Sequence, residues 1–149
     1  VDVRAEKRAV ALLVGWEQPV AALRITARKG DDGVIPLGRG TAVEVAVEAL
    51  HEHAWRAVVM DLFIPLGDHP HRVLGPRARR YQEQVEHLGG LVLLEEIDRL
   101  PARPIVFSHT ACTDHVLLDL FGDRVVRRIP KPSPLDTLLS NVMDVLRPR

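Results

Sequence analysis

Polar side chains follow the short apolar runs of this 149-residue chain, and their types suit the handling of phosphate and divalent cations. They are Glu17, Asp61, Ser108, His109, Thr110 and Lys131. Carboxylates supply the hard oxygen ligands that Mg²⁺ prefers, whereas a lysine and a hydroxyl stabilise phosphoryl oxygens. An aspartate held beside a bound metal can itself be the nucleophile that accepts a phosphoryl group. Together these residue types predict phosphoryl chemistry assisted by a cation.

The elements that must position these side chains alternate along the chain. Short runs rich in Val, Ile and Leu alternate with stretches of helical periodicity, a pattern typical of a parallel sheet covered by helices. The runs predict five strands, at residues 10–15, 33–37, 57–60, 104–107 and 124–129. Ligands of a doubly wound sheet bind beyond the carboxyl ends of its strands. We therefore expect the polar side chains to converge on one edge of the sheet.

Five helices are predicted between and after these strands, at residues 19–29, 41–53, 90–100, 116–121 and 133–146. The first begins with Pro19, which suits the first turn of a helix, and ends before Gly30. The last has Ser133 as a candidate cap and Pro134 in its first turn. Strict alternation of the two element types predicts a three-layer α/β/α sandwich with a five-stranded parallel sheet.

Length and composition bound the other possibilities. The chain is expected to form a single domain over residues 1–149, with an insertion at about 68–88 where Gly, Pro, His and Arg interrupt the alternation. It carries 20 Lys and Arg residues against 20 Asp and Glu residues, so direct nucleic-acid binding is not expected. With one cysteine, no signal peptide and no run long enough to span a membrane, the chain is expected to be cytoplasmic. It begins with Val and ends with Arg-Pro-Arg, so a module of a larger protein is expected.

Two motifs resemble the receiver domains of two-component response regulators. The run VVMDLFIP at residues 58–65 is similar to the strand, aspartate, hydrophobic and proline motif of that family, and Asp61 falls on its phosphoacceptor. The run IPKPSPL at residues 129–135 is similar to the family's lysine-proline motif, which also continues into the last helix. Glu17 lies where receivers carry an acidic residue, at the family's spacing from Asp61.

The resemblance implies a flavodoxin-like, receiver-type fold and a signalling function without enzyme activity beyond phosphoacceptance. Asp61 would accept the phosphoryl group, Lys131 would assist, and Glu17 with Asp61 would bind Mg²⁺ weakly. Ser108, His109 and Thr110 are the candidates for the position of the switch hydroxyl. The implied partners are a histidine kinase or another signalling protein, an output domain or partner protein, and a second copy in a homodimer, without a membrane.

Several positions depart from the receiver pattern. Trp16 replaces the first acidic residue, which removes a charged oxygen ligand from the cation site. His109 stands where receivers carry the switch Ser or Thr, and Arg128 stands where many have an aromatic residue. The segment between Asp61 and Pro104 is longer than receivers use.

Three alternative functions stay open, and the departures favour the first of them. The first is a pseudo-receiver that keeps the fold and switches by partner binding without phosphorylation. The second is a small flavodoxin-like, nucleotide-binding enzyme, although the sequence Gly15-Trp16-Glu17 offers only one glycine for a phosphate loop. The third is a structural dimerisation module that uses the last two helices.

Overall fold

The computed structural model describes residues 9–14, 20–24, 33–37, 42–61, 64, 89–111, 119 and 124–146. Within these residues the chain forms six strands and three helices. The strands are β1 (Ala9–Val14), β2 (Ala21–Arg24), β3 (Gly33–Pro36), β4 (Ala57–Met60), β5 (Ile105–Thr110) and β6 (Val125–Pro130). The helices are α1 (Ala42–Glu52), α2 (Gly89–Asp98) and α3 (Leu135–Leu146). The predicted α/β class is confirmed.

All the strands belong to one sheet, in the order β3-β2-β1-β4-β5-β6. Strand β4 pairs in parallel with β1 and β5, and β6 pairs in parallel with β5. Strand β2 is antiparallel to both of its neighbours, β1 and β3. The five predicted strands therefore all form, but the prediction of a five-stranded parallel sheet is wrong. The sheet is mixed and has six strands, because β2 lies antiparallel between β1 and β3.

The predicted helix over residues 19–29 is wrong at Ala21–Arg24, which form β2. Ala22 and Leu23 are both fully buried, and they pack into different hydrophobic cores. Successive side chains that point to opposite faces of the sheet are the pattern of a β-strand, in which the side-chain direction repeats every two residues. A short continuous apolar run fits a buried strand and a buried helix equally well, and pairing with β1 and β3 decides between them here.

The sheet buries a separate hydrophobic core on each face. Helices α1 and α2 pack over one face, against side chains that include Leu12, Val58 and Val106. Helix α3 packs over the other face, against alternating neighbours that include Leu13, Val59 and Phe107. We call the second surface the α3 face. Because β1, β4 and β5 are covered on both sides, their sequences read as continuous apolar runs.

Helix α3 begins where the sequence predicts, with Leu138, Leu139, Val142 and Leu146 buried along one side. Its first backbone hydrogen bonds run from the amides of Thr137 and Leu138 to the carbonyl of Pro134. The hydroxyl of Ser133 donates to the carbonyl of Pro130 rather than accepting a bond from the helix. Ser133 therefore fastens the turn between β6 and α3.

Several predictions lie outside the described residues. They are the insertion at about 68–88 and the predicted helical segments at 25–29, 116–118 and 120–121. Of the described helices, none is long and apolar enough to cross a membrane, and the longest has 12 residues.

Helix α2 begins against the segment that follows Asp61. The amide of Gly89 donates to the carbonyl of Ile64 at 2.7 Å. A Cβ atom at position 89 would lie 2.3 Å from that carbonyl oxygen and 2.7 Å from Val43 Cγ2. Only glycine allows the helix to approach the backbone this closely.

We expect Gly89→Ala to lower the free energy of unfolding by ~1–3 kcal/mol, because overpacking costs more than the improved helix propensity returns. Urea denaturation measures this loss. Ser140→Ala, at an exposed position of α3, is the control and should change the value by less than ~0.5 kcal/mol. Equal stability of Gly89→Ala and the wild type would contradict the close packing.

Candidate functional site

The candidate site lies at the carboxyl ends of the four parallel strands. Val14 pairs with Met60, Met60 with Ser108, and Ser108 with Arg128. This row crosses β1, β4, β5 and β6 near their last residues, so the described residues that follow it on β4, β5 and β6 lie at one edge of the sheet. This is the edge at which the sequence predicts that the polar side chains converge.

Asp61 and Lys131 form an ion pair at this edge. Lys131 Nζ donates to Asp61 Oδ2 at 2.6 Å, a short distance typical of a charge-assisted hydrogen bond. The Asp61 side chain is only 6% exposed, whereas that of Lys131 is 23% exposed. The backbone amide of Asp61 donates to the carbonyl of Val14 at 3.0 Å, which attaches the aspartate to the end of β1. The carboxylate is therefore paired with Lys131, and the backbone that carries it is attached to the end of β1.

His109 lies on the same face of the sheet as this ion pair. Asp61, His109 and Lys131 each stand two residues after a side chain of the core under α3, and those side chains are Val59, Phe107 and Ile129. Because side chains two apart in a strand share a face, the three polar residues continue the α3 face beyond its core. His109 also follows Ser108 as Asp61 follows Met60, which places them side by side on neighbouring strands.

The electrostatic surroundings of His109 include both members of the pair. Burial lowers the pKa of His109 from its ordinary value of 6.5, the positive charge of Lys131 lowers it further, and the negative charge of Asp61 opposes both. The ring nitrogen Nε2 is buried and has no hydrogen-bond partner among the described residues. Burial and the charge of Lys131 therefore both disfavour the protonated form of His109.

Ser108 and Thr110 lie on the opposite face of the sheet from the ion pair. They alternate with Phe107 and His109 along β5, and Val106, two residues before Ser108, belongs to the core under α1 and α2. Both are buried, and within the described part of the chain Ser108 Oγ lacks a hydrogen-bond partner. Of the three residues that the sequence leaves open, His109 is the one that shares a face with Asp61.

The predicted cation site is described only in part. Asp61 supplies a carboxylate of the hard type that suits Mg²⁺. Glu17, the second predicted ligand, and Trp16 beside it lie outside the described residues. Among the residues that are described, no group of three or more His, Cys, Asp or Glu side chains is arranged to hold a metal ion.

One contact at this edge has no signal in the residue types of the sequence. The carbonyl of Val14, which holds the backbone of Asp61, depends on the strand register, and no residue type signals it. Side chains alternate between the two faces of the sheet along β5. Once one residue of β5 is assigned to a face, this alternation shows that His109, and not Ser108 or Thr110, shares a face with Asp61. Arg128, noted for replacing an aromatic residue, is exposed on β6.

The electrostatic arrangement predicts opposite shifts of the His109 pKa in two variants. Lys131→Met should raise it, because a positive neighbour is lost, and Asp61→Asn should lower it, because a negative neighbour is lost. Titration of the ring Cε1 proton by NMR measures both shifts. A wild-type pKa above 6.5, or a fall in Lys131→Met, would contradict the arrangement.

The same group makes stability depend on pH. Because the pKa is lower in the folded chain, the unfolded chain binds more protons between the two values. The contribution of His109 to the free energy of unfolding is complete above about pH 6.5, the ordinary pKa of histidine. It is lost as the pH falls through the pKa that His109 has in the folded chain. His109→Gln should therefore lose less stability on acidification than the wild type.

Comparisons with known proteins add no family to this description. No protein-family model matches the chain, and no curated protein matches it either.

Proposed function

We propose that this chain is a receiver-like signalling domain in which Asp61 accepts a phosphoryl group and regulates an output domain or partner protein. The observation that carries the proposal is the 2.6 Å contact between Asp61 and Lys131 at the carboxyl edge of the sheet. The two residues come from the separate motifs that resemble the receiver family.

The order of the strands supports this proposal. A flavodoxin-like sheet has the order 2-1-3-4-5. Without β2, the strands of this chain follow that order, with β3 outermost and β1, β4, β5 and β6 after it. The described helices lie on both faces, as doubly wound sheets require. The proposed fold is therefore a flavodoxin-like sandwich with one antiparallel strand inserted beside β1.

The chemistry requires a nucleophile and a positive neighbour, and the pair supplies both. A carboxylate oxygen of Asp61 would attack the phosphorus of a donor, and the bond from phosphorus to the leaving group would break with its electron pair going to that group. Lys131 would then stabilise the negative charge on the phosphoryl oxygens. Asp61 and Glu17 are the residues that would hold Mg²⁺, which supplies further charge neutralisation.

The position of the pair explains how a phosphoryl group could alter the surface. Lys131 lies in the turn that Ser133 fastens before α3. Three residues after Asp61, the carbonyl of Ile64 receives the first amide of α2. A charge added at Asp61 would therefore lie close to residues that contact the beginnings of α2 and α3. Histidine kinases as donors and output domains as targets are the partners that this proposal includes.

A phosphorylation-independent pseudo-receiver is the second candidate, and two observations favour it. The Asp61 carboxylate is almost completely buried and already paired with Lys131. The residue beside it on the same face is His109 rather than a hydroxyl. In this version the ion pair is a structural connection, and binding of a partner changes the surface.

Beryllofluoride, a mimic of the phosphoryl group, separates the two candidates when added with Mg²⁺. We expect saturable shifts of backbone amide signals near Asp61, Lys131 and Gly89 in the wild type. Lys131 contacts the carboxylate that takes up the beryllofluoride, and Gly89 is hydrogen-bonded to Ile64, three residues after Asp61. Asp61→Asn should abolish these shifts, whereas Asp136→Asn, at an exposed position of α3, should retain them. No response up to millimolar Mg²⁺ would rule out the acceptor and leave the pseudo-receiver.

A further inference from the structure

The end of the sheet opposite to Asp61 carries two exposed arginines. Arg56 directly precedes β4, and Arg103 lies two residues before β5. The backbone amide of Ile105 donates to the carbonyl of Arg56 at 3.0 Å, so the register of β4 and β5 continues beyond the strands and sets Arg56 beside Pro104. Neighbouring strands are about 4.8 Å apart, which brings the two arginines close together. We call Arg56 and Arg103 the arginine pair.

Arg56 holds the end of α3 with only part of its guanidinium group. Its Nη2 atom donates to the carbonyl of Leu146, the last residue of α3, at 3.0 Å. The negative end of the helix dipole lies there, so a positive charge is favourable. A guanidinium group has five N–H donors, and the described residues offer Arg56 no second acceptor. The remaining donors are available to a ligand.

Other arginines at this end of the sheet are already neutralised within the chain. Arg99 Nη1 lies 3.1 Å from Glu96 Oε1, and Arg124 Nε lies 2.7 Å from Asp98 Oδ1. The arginine pair differs from them, because neither of its members has a carboxylate partner among the residues that the structure describes. Two exposed positive charges therefore stand side by side without an acidic side chain between them.

The chemistry of the arginine pair favours carboxylates from a short segment over a long polyanion. A guanidinium fork binds a carboxylate through two parallel N–H···O bonds. Binding to nucleic acid depends on contacts with many phosphates, and two cations supply few of them. The chain as a whole has 20 basic and 20 acidic residues, and the carboxylates of Glu96 and Asp98 interrupt the positive charge at this end. An acidic peptide segment fits these conditions best.

We propose that the arginine pair is a docking site for an acidic peptide segment of a partner protein, whose carboxylates pair with both guanidinium groups. The site lies at the other end of the sheet from Asp61, so the proposal does not depend on phosphoacceptance. A carboxylate on Arg56 shares the guanidinium group with the carbonyl of Leu146. The docked segment therefore contacts the last turn of α3, the helix that follows the turn carrying Lys131.

A short fluorescein-labelled oligoglutamate peptide is the probe, and fluorescence anisotropy measures its binding to the whole chain. Saturable binding that weakens as salt is added is expected for the wild type. Arg103→Gln and Arg56→Gln should each weaken binding about fivefold, the upper end for an exposed ion pair, and the double variant at least ~10-fold. Arg128→Gln, the same change at an exposed position of β6, should stay within about twofold of the wild type.

Two controls keep a negative result interpretable. Arg103 makes no contact with α3 through its guanidinium group among the described hydrogen bonds, so Arg103→Gln should unfold at the temperature of the wild type even if Arg56→Gln does not. In heteronuclear NMR spectra the peptide should shift the amide signals of Ile105 and Leu146 and leave that of Gly89, at the other end of the sheet, unchanged.

Three results would overturn the proposal. They are no saturable binding by the wild type, binding by a folded Arg103→Gln protein that equals that of the wild type, and tighter binding of a labelled oligothymidylate of the same length. The last result would assign the arginine pair to nucleic acid. None of these outcomes bears on Asp61, because beryllofluoride tests that residue separately.

Discussion

The buried carboxylate of Asp61 is the constraint on which the rest of this edge depends. Removing a carboxylate from water costs several kcal/mol unless a positive partner and hydrogen bonds compensate it. Lys131 is that partner, from 70 residues further along the chain. The hydrogen bond that the backbone amide of Asp61 donates to the carbonyl of Val14 attaches β1 to the same point. One ion pair therefore joins the ends of the central strands to the turn that precedes α3. A change in the charge of this pair acts on the strand ends and on that turn together.

Much of the fold is predictable because local pattern and tertiary packing agree for most of the chain. The runs at β1, β4 and β5 are covered on both faces, which explains why they contain so many consecutive apolar residues. The segment Ala21–Arg24 shows where this agreement ends. Its four residues satisfy the patterns of helix and strand alike, and Pro19 and Gly30 favoured a helix. Pairing with β1 and β3 is a long-range contact, which local signals do not contain.

The sequence predicts which residue types form the site and at which edge of the sheet they lie. It does not predict on which face of the sheet each side chain lies. Asp61 and Lys131 stand directly after or close to apolar runs, and their contact follows from parallel strands that end together. The choice between Ser108, His109 and Thr110 depends on a single step of register, since a shift of one residue moves every side chain to the opposite face. The structure resolves that step in favour of His109 on the α3 face.

A double-mutant cycle between Asp61 and Lys131 tests most directly whether the ion pair organises this edge. The free energy of unfolding is measured by urea denaturation for the wild type, Asp61→Asn, Lys131→Met and the double variant. Removing lysine alone leaves a buried charge unpaired, so Lys131→Met should be the most destabilised single variant, by up to ~3–5 kcal/mol. The double variant should recover more than ~1 kcal/mol relative to the sum of the single losses. Losses that add within ~0.5 kcal/mol would show that the two residues act independently and would contradict this account.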